Sequence, residues 1–302
     1  GRVLLPPEIF QQSAFSLRNT LSFIAVNLLL TPFVLIYAGL ALTSYYLEEQ
    51  TAGFLRISPV GIYMAERSYH HDAKEIRLAG MIHIGKEEYY EDLAGSLSTE
   101  ATIILTEGVT DRQQLLEHNF NYSKLAGVIG LSSQDKMQID GNLVDLDESS
   151  QVTRGTGGKP DIAWADIDLS RFDPQTVEFL NAIGRTLFSG KPLLEALAEY
   201  SAWANENMTP ERVAVVMADI IDKRNESVIA SLSKTLQHYD TIIIPWGAMH
   251  MPAIEAAILD QGFKQGEKKE RMSLDFRTLP YRELWQKWSA HAAAVRAPAS
   301  ST

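Results

Sequence analysis

Short apolar runs recur along residues 76–262, and polar or amphipathic segments separate them. The runs at residues 76–84, 101–108, 161–170 and 239–250 have the length and composition of buried strands. Segments at 86–97, 111–131, 174–187, 192–207, 210–238 and 251–262 predict helices, the last of them closed by Gly262. Between them, residues 132–160 are polar and rich in glycine, and "IDGNLV" predicts a hairpin with an Asp-Gly turn.

The longest apolar run lies near the N-terminus and predicts a different environment. "LSFIAVNLLLTPFVLIYAGLALTSYYL", residues 21–47, contains no Asp, Glu, Lys, Arg or His. Because a membrane span needs about 20 mostly apolar residues, this segment predicts a single transmembrane helix in contact with lipid, preceded by a pre-anchor segment at 1–20. A buried core helix and a cleaved signal peptide are the alternatives. Arg2 and Arg18 precede the run, so the positive-inside bias favours an extracytoplasmic location for the large domain that follows.

Composition narrows the class of protein. The net charge of −11 argues against nucleic acid as a partner, because binding phosphates requires a basic face. The chain has no cysteine, which excludes disulfide scaffolds, zinc ribbons and thiol nucleophiles. We expect one soluble domain over residues 51–275, followed at 276–302 by a short helix and a disordered tail.

Two short motifs share one context. "GMIH" at Gly80–His83 and "GAMH" at Gly247–His250 each follow a predicted strand and precede a predicted helix, which suggests a duplicated strand–GxxH–helix unit. Reactive groups collect at the carboxyl ends of strands in such sheets, and glycine allows a tight turn or a close approach there. No HExxH is present, so any metal ligands must come from distant parts of the chain.

Further candidates are charged residues in apolar surroundings. Glu107 ends the run "TIILTE", where an ionised carboxylate needs a partner. On the helix predicted at 210–238, a core-facing stripe continues onto Arg224, where a guanidinium requires an anion or a reacting oxygen. That stripe consists of Val213, Val216, Met217, Ile220 and Val228. Asn225 could add a directed amide, Arg112 could face the same cleft from the helix after Glu107, and Asp166 is a minor candidate on a short strand with Asp168.

Together these motifs resemble the TraB/PrgY/TIKI family, which is related to the erythromycin-esterase and ChaN-like folds. The matching segments read "GMIH", "LTEG", "KRN" and "GAMH" and cover about residues 75–262. The resemblance implies an α+β fold: a mixed β-sheet core with surrounding helices, built from two related strand–GxxH–helix halves and here joined to an N-terminal transmembrane helix.

The resemblance also implies a function and a role for each residue. It indicates a membrane-anchored, divalent-metal-dependent peptidase acting on peptides or proteins near the membrane. His83, His250 and Glu107 become metal ligands, with Glu107 also able to activate water. Arg224 and Asn225 become stabilisers of the oxyanion. These ligands do not set the identity of the metal, and Zn, Mn or Co would fit.

Three other functions fit the same residues. In a metal-independent esterase or amidase, a histidine would act as a general base. In a binding module on the ChaN-like scaffold, the site would hold haem or another ligand without turnover. A membrane-tethered interaction protein fits the acidic composition but leaves the core-facing Arg224 without a role.

Overall fold

A computed structural model describes residues 16–97, 102–118, 131–134, 137–146, 158–191 and 193–282, together with 285, 286 and 289. The chain divides into two compact units, Gly1–Leu47 and Glu48–Thr302. The pre-anchor residues 1–15 and the tail from 290 onward lie outside the described residues. The described residues near the C-terminus are helical: Tyr281, Arg282, Trp285, Gln286 and Ser289.

The N-terminal helix, α1, spans Leu17–Gln50 and contains Pro32. None of its residues is buried. Its most apolar window has a mean hydropathy of 2.1, so the helix is long and apolar enough to cross a membrane. By length and composition it is compatible with the predicted anchor, although a signal sequence has the same character.

The second unit is built on a mixed β-sheet, as predicted. Its strands are β1 (Leu55–Ser58), β2 (Gly61–His71), β3 (Lys74–Met81), β5 (Thr102–Thr106), β7 (Asn142–Leu143), β8 (Asp161–Trp164), β9 (Thr241–Gly247) and β10 (Lys264–Asp275). A separate two-stranded sheet pairs β4 (Ile84–Gly85) with β6 (Ser132–Ser133). The helices are α2 (Glu87–Leu97), α3 (Pro174–Phe188), α4 (Leu193–Asn207), α5 (Pro210–Met217), α6 (Arg224–Thr235) and α7 (Met251–Asp260).

The order of the strands explains the mixture of directions. The main path runs β1-β2-β3-β9-β5-β8-β7, and β10 pairs with β2. Strands β3, β9, β5, β8 and β7 are parallel to one another, whereas β2 is antiparallel to each of its partners β1, β3 and β10. The central strands β5 and β9 are nearly continuous apolar runs because a parallel sheet is covered on both faces.

Helices begin where the sequence supplies caps. The Asp173 side chain accepts the Gln175 N–H at the start of α3, and Thr209 accepts the Arg212 N–H at the start of α5. Pro174 follows the first of these caps, at a position where a missing N–H costs nothing. Helix α6 contacts β5 and α7, and α7 contacts β3, so the helices that carry the candidate residues pack on the central strands.

A buried cluster of charged side chains connects strands β2, β3 and β10 with helix α2. Glu66 on β2 accepts hydrogen bonds from Arg77 on β3 and Arg271 on β10, and Arg271 also pairs with Asp92 on α2. Burial favours the protonated form of Glu66, but the bonds from Arg271 and Arg77 outweigh it and hold the pKa of this carboxyl below its ordinary value. These ion pairs therefore link three strands of the sheet to one another and to a helix.

Several predicted elements were wrong. Residues 111–118 form turns instead of the start of a helix, and the rest of that predicted helix lies largely outside the described residues. The predicted Asp-Gly hairpin is absent from residues 137–146, because Asn142–Leu143 joins β8 as a parallel neighbour. Asp166 and Asp168 do not share a strand face: β8 ends at Trp164, and Asp168 caps a short 3-10 helix, Leu169–Arg171.

The predicted helix at 210–238 is interrupted. Residues Ala218–Lys223 form a π-helical segment between α5 and α6. Val213 and Met217, which were expected on the core-facing stripe, are exposed, while Val216 and Val228 are buried. A π turn contains more residues than an α turn and so rotates the buried face along the helix. Arg224 and Asn225, which follow the π segment, still face inward.

Candidate functional site

The predicted site residues follow the carboxyl ends of four adjacent strands. In the order β3, β9, β5 and β8, these strands lead into His83, His250, Glu107 and Asp166. Because the strands are parallel, their carboxyl ends lie along one edge of the sheet, where ligands bind in folds of this kind. The second GxxH segment joins β9 directly to α7, as predicted, whereas the first is followed by the two-residue strand β4 before α2 begins.

Pro245 marks the place where the central strands part. The β9–β5 ladder pairs Thr241–Ile243 with Thr102–Ile104 and stops there, whereas the β9–β3 ladder continues to Gly247. A proline has no N–H to donate to a neighbouring strand. Pro245 lies beyond Ile243, the last residue of β9 that pairs with β5. The Trp246 indole instead donates to the Leu105 carbonyl across the gap at 3.0 Å. Glu107 follows at the end of β5.

Arg224 connects two buried carboxylates. Its Nη2 lies 2.7 Å from Glu107 Oε1 and 2.7 Å from Asp166 Oδ2, and its Nε lies 3.0 Å from Asp166 Oδ1. The three side chains are 11%, 4% and 0% exposed for Arg224, Glu107 and Asp166. Burial alone would lower the pKa of Arg224, but Asp166 and Glu107 outweigh it and raise this pKa. The anionic partner that the sequence demanded for Arg224 is therefore a pair.

Asp166 is more central than the sequence suggested. Besides Arg224, its carboxylate accepts the backbone N–H groups of Gly108 at 2.9 Å and Ile167 at 2.8 Å. Gly108 has a φ of 154°, which glycine tolerates better than other residues. Asp166 therefore ties the loop after β5 to the loop after β8. In the sequence, the only signal for a role of Asp166 is the "ADID" segment after an apolar run, and that pattern is common in surface loops.

Glu107 is held from both sides and faces His250. Its Oε2 accepts the Gly247 N–H at 2.6 Å, while its Oε1 accepts Arg224 and lies 3.7 Å from His250 Nε2. Gly80 and Gly247 were expected to provide turns, but both are strand residues with φ outside the left-handed region. Gly247 instead brings its backbone N–H to the carboxylate.

His250 is buried in a defined tautomer. Its Nδ1 lies 2.8 Å from Asn225 Oδ1, and an amide oxygen only accepts, so Nδ1 carries the hydrogen. Burial lowers the pKa of His250 to about 4, with Glu107 acting in the opposite direction, so the ring is neutral at pH 7. Nε2 therefore presents a lone pair toward Glu107. The Trp246 ring packs against the His250 ring edge to face, with centroids 5.2 Å apart.

Two hydrogen-bond acceptors thus face each other at 3.7 Å. Two carboxylates and one guanidinium also leave this group with one surplus negative charge, since His250 is neutral. Both facts favour a cation or a doubly donating water at this position. Two ligand atoms of a tetrahedral metal with bonds of about 2.1 Å lie about 3.4 Å apart, so the spacing of His250 Nε2 and Glu107 Oε1 fits a divalent ion.

His83 lies near this pair. The side chain is exposed, its Nδ1 lies 2.9 Å from Gln134 Oε1, and its proximity contributes to the lowered pKa of His250. Across the described ranges, no group of three or more His, Asp or Glu side chains is close enough to hold a metal ion. The structure therefore brings Glu107 and His250 into one potential ligand pair and places His83 near them.

Of the two remaining candidates, Asn225 belongs to the site and Arg112 does not. Asn225 is 5% exposed, and its side-chain oxygen is engaged by His250. Arg112 is exposed, and its backbone N–H donates to Asp168 Oδ2 at 3.1 Å. Arg112 therefore does not enter the cluster around Arg224. Because residues 111–118 are not helical, the helical turn expected to bring Arg112 to the cleft does not form.

A cavity of about 270 Å³ lies elsewhere, over β2, β3 and β10. Its lining carries charges of both signs, and Glu66 there is already bonded to Arg77 and Arg271. The strand ends combine a buried, unprotonated ring nitrogen with a surplus of buried negative charge. In the cavity the histidine, His70, is exposed, and Glu66 is the one buried carboxylate of the lining. We therefore place the chemistry at the strand ends.

Comparison with known protein families, characterised proteins and solved structures gave no match for this chain. The resemblance to the TraB/PrgY/TIKI family accordingly rests on the four quoted motifs and their order.

Proposed function

We propose that the chain is a hydrolase of the TraB/PrgY/TIKI type, anchored by α1, that cleaves peptides or proteins near the membrane with a divalent metal ion. The observation that carries the proposal is the 3.7 Å approach of His250 Nε2 to Glu107 Oε1. These two atoms would hold the metal, with His83 as a further ligand from the neighbouring strand end. Zn, Mn and Co all accept such nitrogen and oxygen ligands. The ion would lower the pKa of a bound water and polarise the scissile carbonyl.

The chain's own residues prepare this position. Asn225 keeps hydrogen off His250 Nε2, so that the lone pair is available. Arg224 and the Gly247 N–H hold both oxygens of Glu107, which fixes the carboxylate and offsets its charge. We therefore assign Arg224 and Asn225 a positioning role in place of the oxyanion role expected from the sequence. Asp166 holds Arg224 in turn.

The test is hydrolysis of a peptide library by the purified full chain, with metal content measured by elemental analysis. We expect activity that a chelator abolishes and that one added divalent metal restores. His250→Ala should lower kcat/KM at least 100-fold, and Glu107→Gln, which preserves side-chain shape, should do the same. His71→Ala is the matched control, since that ring is half exposed on the β2–β3 hairpin. Activity that survives both His83→Ala and His250→Ala would refute the proposal.

A metal-independent esterase or amidase is the second candidate. The observation that favours it is the neutral, buried His250, whose Nε2 could take a proton from a water held between that nitrogen and Glu107. Hydrolysis that resists chelators but is lost in His250→Ala would select this function over the metallopeptidase.

The side of the membrane is a separate part of the proposal. We propose that the second unit faces outward, on the basis of the basic residues before α1. The chain has no cysteine, so a single Ser170→Cys substitution at an exposed position gives one thiol to follow. A membrane-impermeant maleimide should label this thiol in intact cells. Labelling only after lysis would place the domain inside.

A further inference from the structure

Gln134 makes two contacts with His83. Its side-chain oxygen lies 2.9 Å from His83 Nδ1, and its backbone N–H donates to the His83 carbonyl at 3.0 Å. The pairing of β4 with β6 brings these residues together, because Ile84 lies opposite Ser133. Ser133 is fully buried, so the segment that presents Gln134 is anchored in the fold. No sequence pattern links residue 83 to residue 134.

The same arrangement occurs at the second GxxH segment. His250 Nδ1 meets Asn225 Oδ1 at 2.8 Å, just as His83 Nδ1 meets Gln134 Oε1 at 2.9 Å. Both partners are side-chain amides supplied by another element, and an amide oxygen can only accept a hydrogen. In each neutral ring, therefore, Nδ1 carries the hydrogen and Nε2 does not. Histidines that bind metals usually have their other nitrogen fixed by a partner of this kind.

We infer that Gln134 is a positioning residue, the counterpart of Asn225, and that the two amides hold His83 and His250 in the same Nδ1–H tautomer. The inference rests on the proposed function for its purpose, since two matched tautomers present two matched ring nitrogens to a metal or a water. Its physical content, the tautomer of each ring, is measurable without any turnover. The repeated unit would thus consist of a strand, a GxxH segment and an amide partner for the histidine.

The experiment uses the full chain in detergent, labelled with ¹⁵N only at its seven histidines. Long-range ¹H–¹⁵N spectra distinguish the two neutral tautomers, and His83→Ala and His250→Ala spectra assign the signals. Recording at about pH 8.5 keeps ordinary histidines neutral, because their pKa is about 6.5. Gln134→Met removes the acceptor at similar length, and Gln134→Glu retains an oxygen that accepts the Nδ1 hydrogen.

We expect Nδ1–H signals for His83 and His250 in the native chain. Gln134→Met should shift His83 toward the Nε2–H form without changing His250, and Gln134→Glu should retain Nδ1–H. If hydrolysis is detected, Gln134→Met should lower kcat/KM about 10- to 100-fold and Gln134→Glu should recover part of it.

The outcomes separate the two proposals. An Nε2–H signal for His83 in the native chain, or an unchanged signal in Gln134→Met, overturns the role of Gln134 whatever the activity. The expected tautomers in a chain that hydrolyses no peptide support the positioning of both rings and overturn the proposed function. Should Gln134→Met fail to fold, the native and Gln134→Glu spectra test the inference, since both should show the Nδ1–H form of His83 and an Nε2–H signal in either would overturn it.

Discussion

Replacing Asp166 by Asn tests whether the buried ion group stabilises the fold. The Asp166 carboxylate accepts hydrogen bonds from two nitrogens of Arg224, Nε and Nη2, and from two backbone N–H groups, and its side chain is fully buried. Asparagine keeps one accepting oxygen and presents an NH₂ group in place of the other. That oxygen can serve only one of the backbone donors, because the Gly108 N–H bonds to Oδ2 and the Ile167 N–H bonds to Oδ1. In either orientation the NH₂ group would face the other backbone N–H and a donating nitrogen of Arg224.

The cost follows from the lost contacts. Two charge-assisted hydrogen bonds are each worth about 1.5–3 kcal/mol net, and breaking a buried ion pair costs about 3–5 kcal/mol. Arg224 keeps Glu107 as a partner, which places the loss near the lower end, at about 3 kcal/mol. For a domain of this size, about 2–4 °C of Tm accompanies each kcal/mol, so Tm should fall by about 6–12 °C.

The assay is urea and thermal unfolding of the full chain in detergent, followed by tryptophan fluorescence. Trp246 is fully buried beside His250 and Arg224, so it reports on this part of the fold. Asp240→Asn is the control, because that exposed carboxylate pairs loosely with Lys74 at 3.6 Å and its loss should cost less than about 0.5 kcal/mol. If Asp166→Asn is no more destabilising than Asp240→Asn, the Arg224–Asp166 contact does not stabilise the fold.

Three further predictions concern stability. The pKa of Glu66 is lowered in the folded protein, so its contribution to the free energy of unfolding is complete above the ordinary pKa of 4.5 and is lost as the pH falls through the folded pKa. Urea unfolding across pH 2–7 should therefore show that stability depends less on acid in Glu66→Gln than in the native chain. An equal dependence of stability on pH in the two proteins would contradict this. Gly61→Ala should cost about 2–4 kcal/mol of stability, because the new Cβ would lie 2.1 Å from the Leu274 carbonyl oxygen. In Gly95→Ala the new Cβ meets nothing within 4 Å, so this substitution should stabilise α2 by about 0.5–1 kcal/mol. Similar unfolding midpoints for the two variants would refute the reasoning. Thr209→Ala removes the cap of α5 and should cost about 1 kcal/mol in the same assay, and no loss would show that the cap is dispensable.

The sequence predicted the centre of the sheet well and its edges poorly. Strands β5 and β9 are apolar runs that can only be buried, so their positions were readable. Strand β10 was missed, because its first seven residues are exposed and mostly charged. Its place in the sheet depends on pairing with β2, a contact between residues far apart in the chain. Local pattern carries no signal of that pairing.

The site shows the same division. The sequence indicated that Glu107 and Arg224 need partners, since a charge in an apolar stretch cannot remain unpaired. It did not indicate which partners, because Asp166 and Gln134 approach through loops whose paths depend on the whole fold. The expectation for Arg112 failed because it assumed a helix after Glu107. The contacts between His250, Asn225 and Glu107 could only be read from coordinates.

The strand order has a consequence for how the chain is made. Strand β9, residues 241–247, lies between β3 and β5, which leave the ribosome much earlier. Until β9 is synthesised, β3 and β5 lack the strand that lies between them and pairs with both, and exposed strand edges of this kind promote aggregation. The nascent chain would remain in that incomplete form until β9 emerges. Translation would have to pass residue 250 before the Gly247 N–H and the His250 ring could reach Glu107.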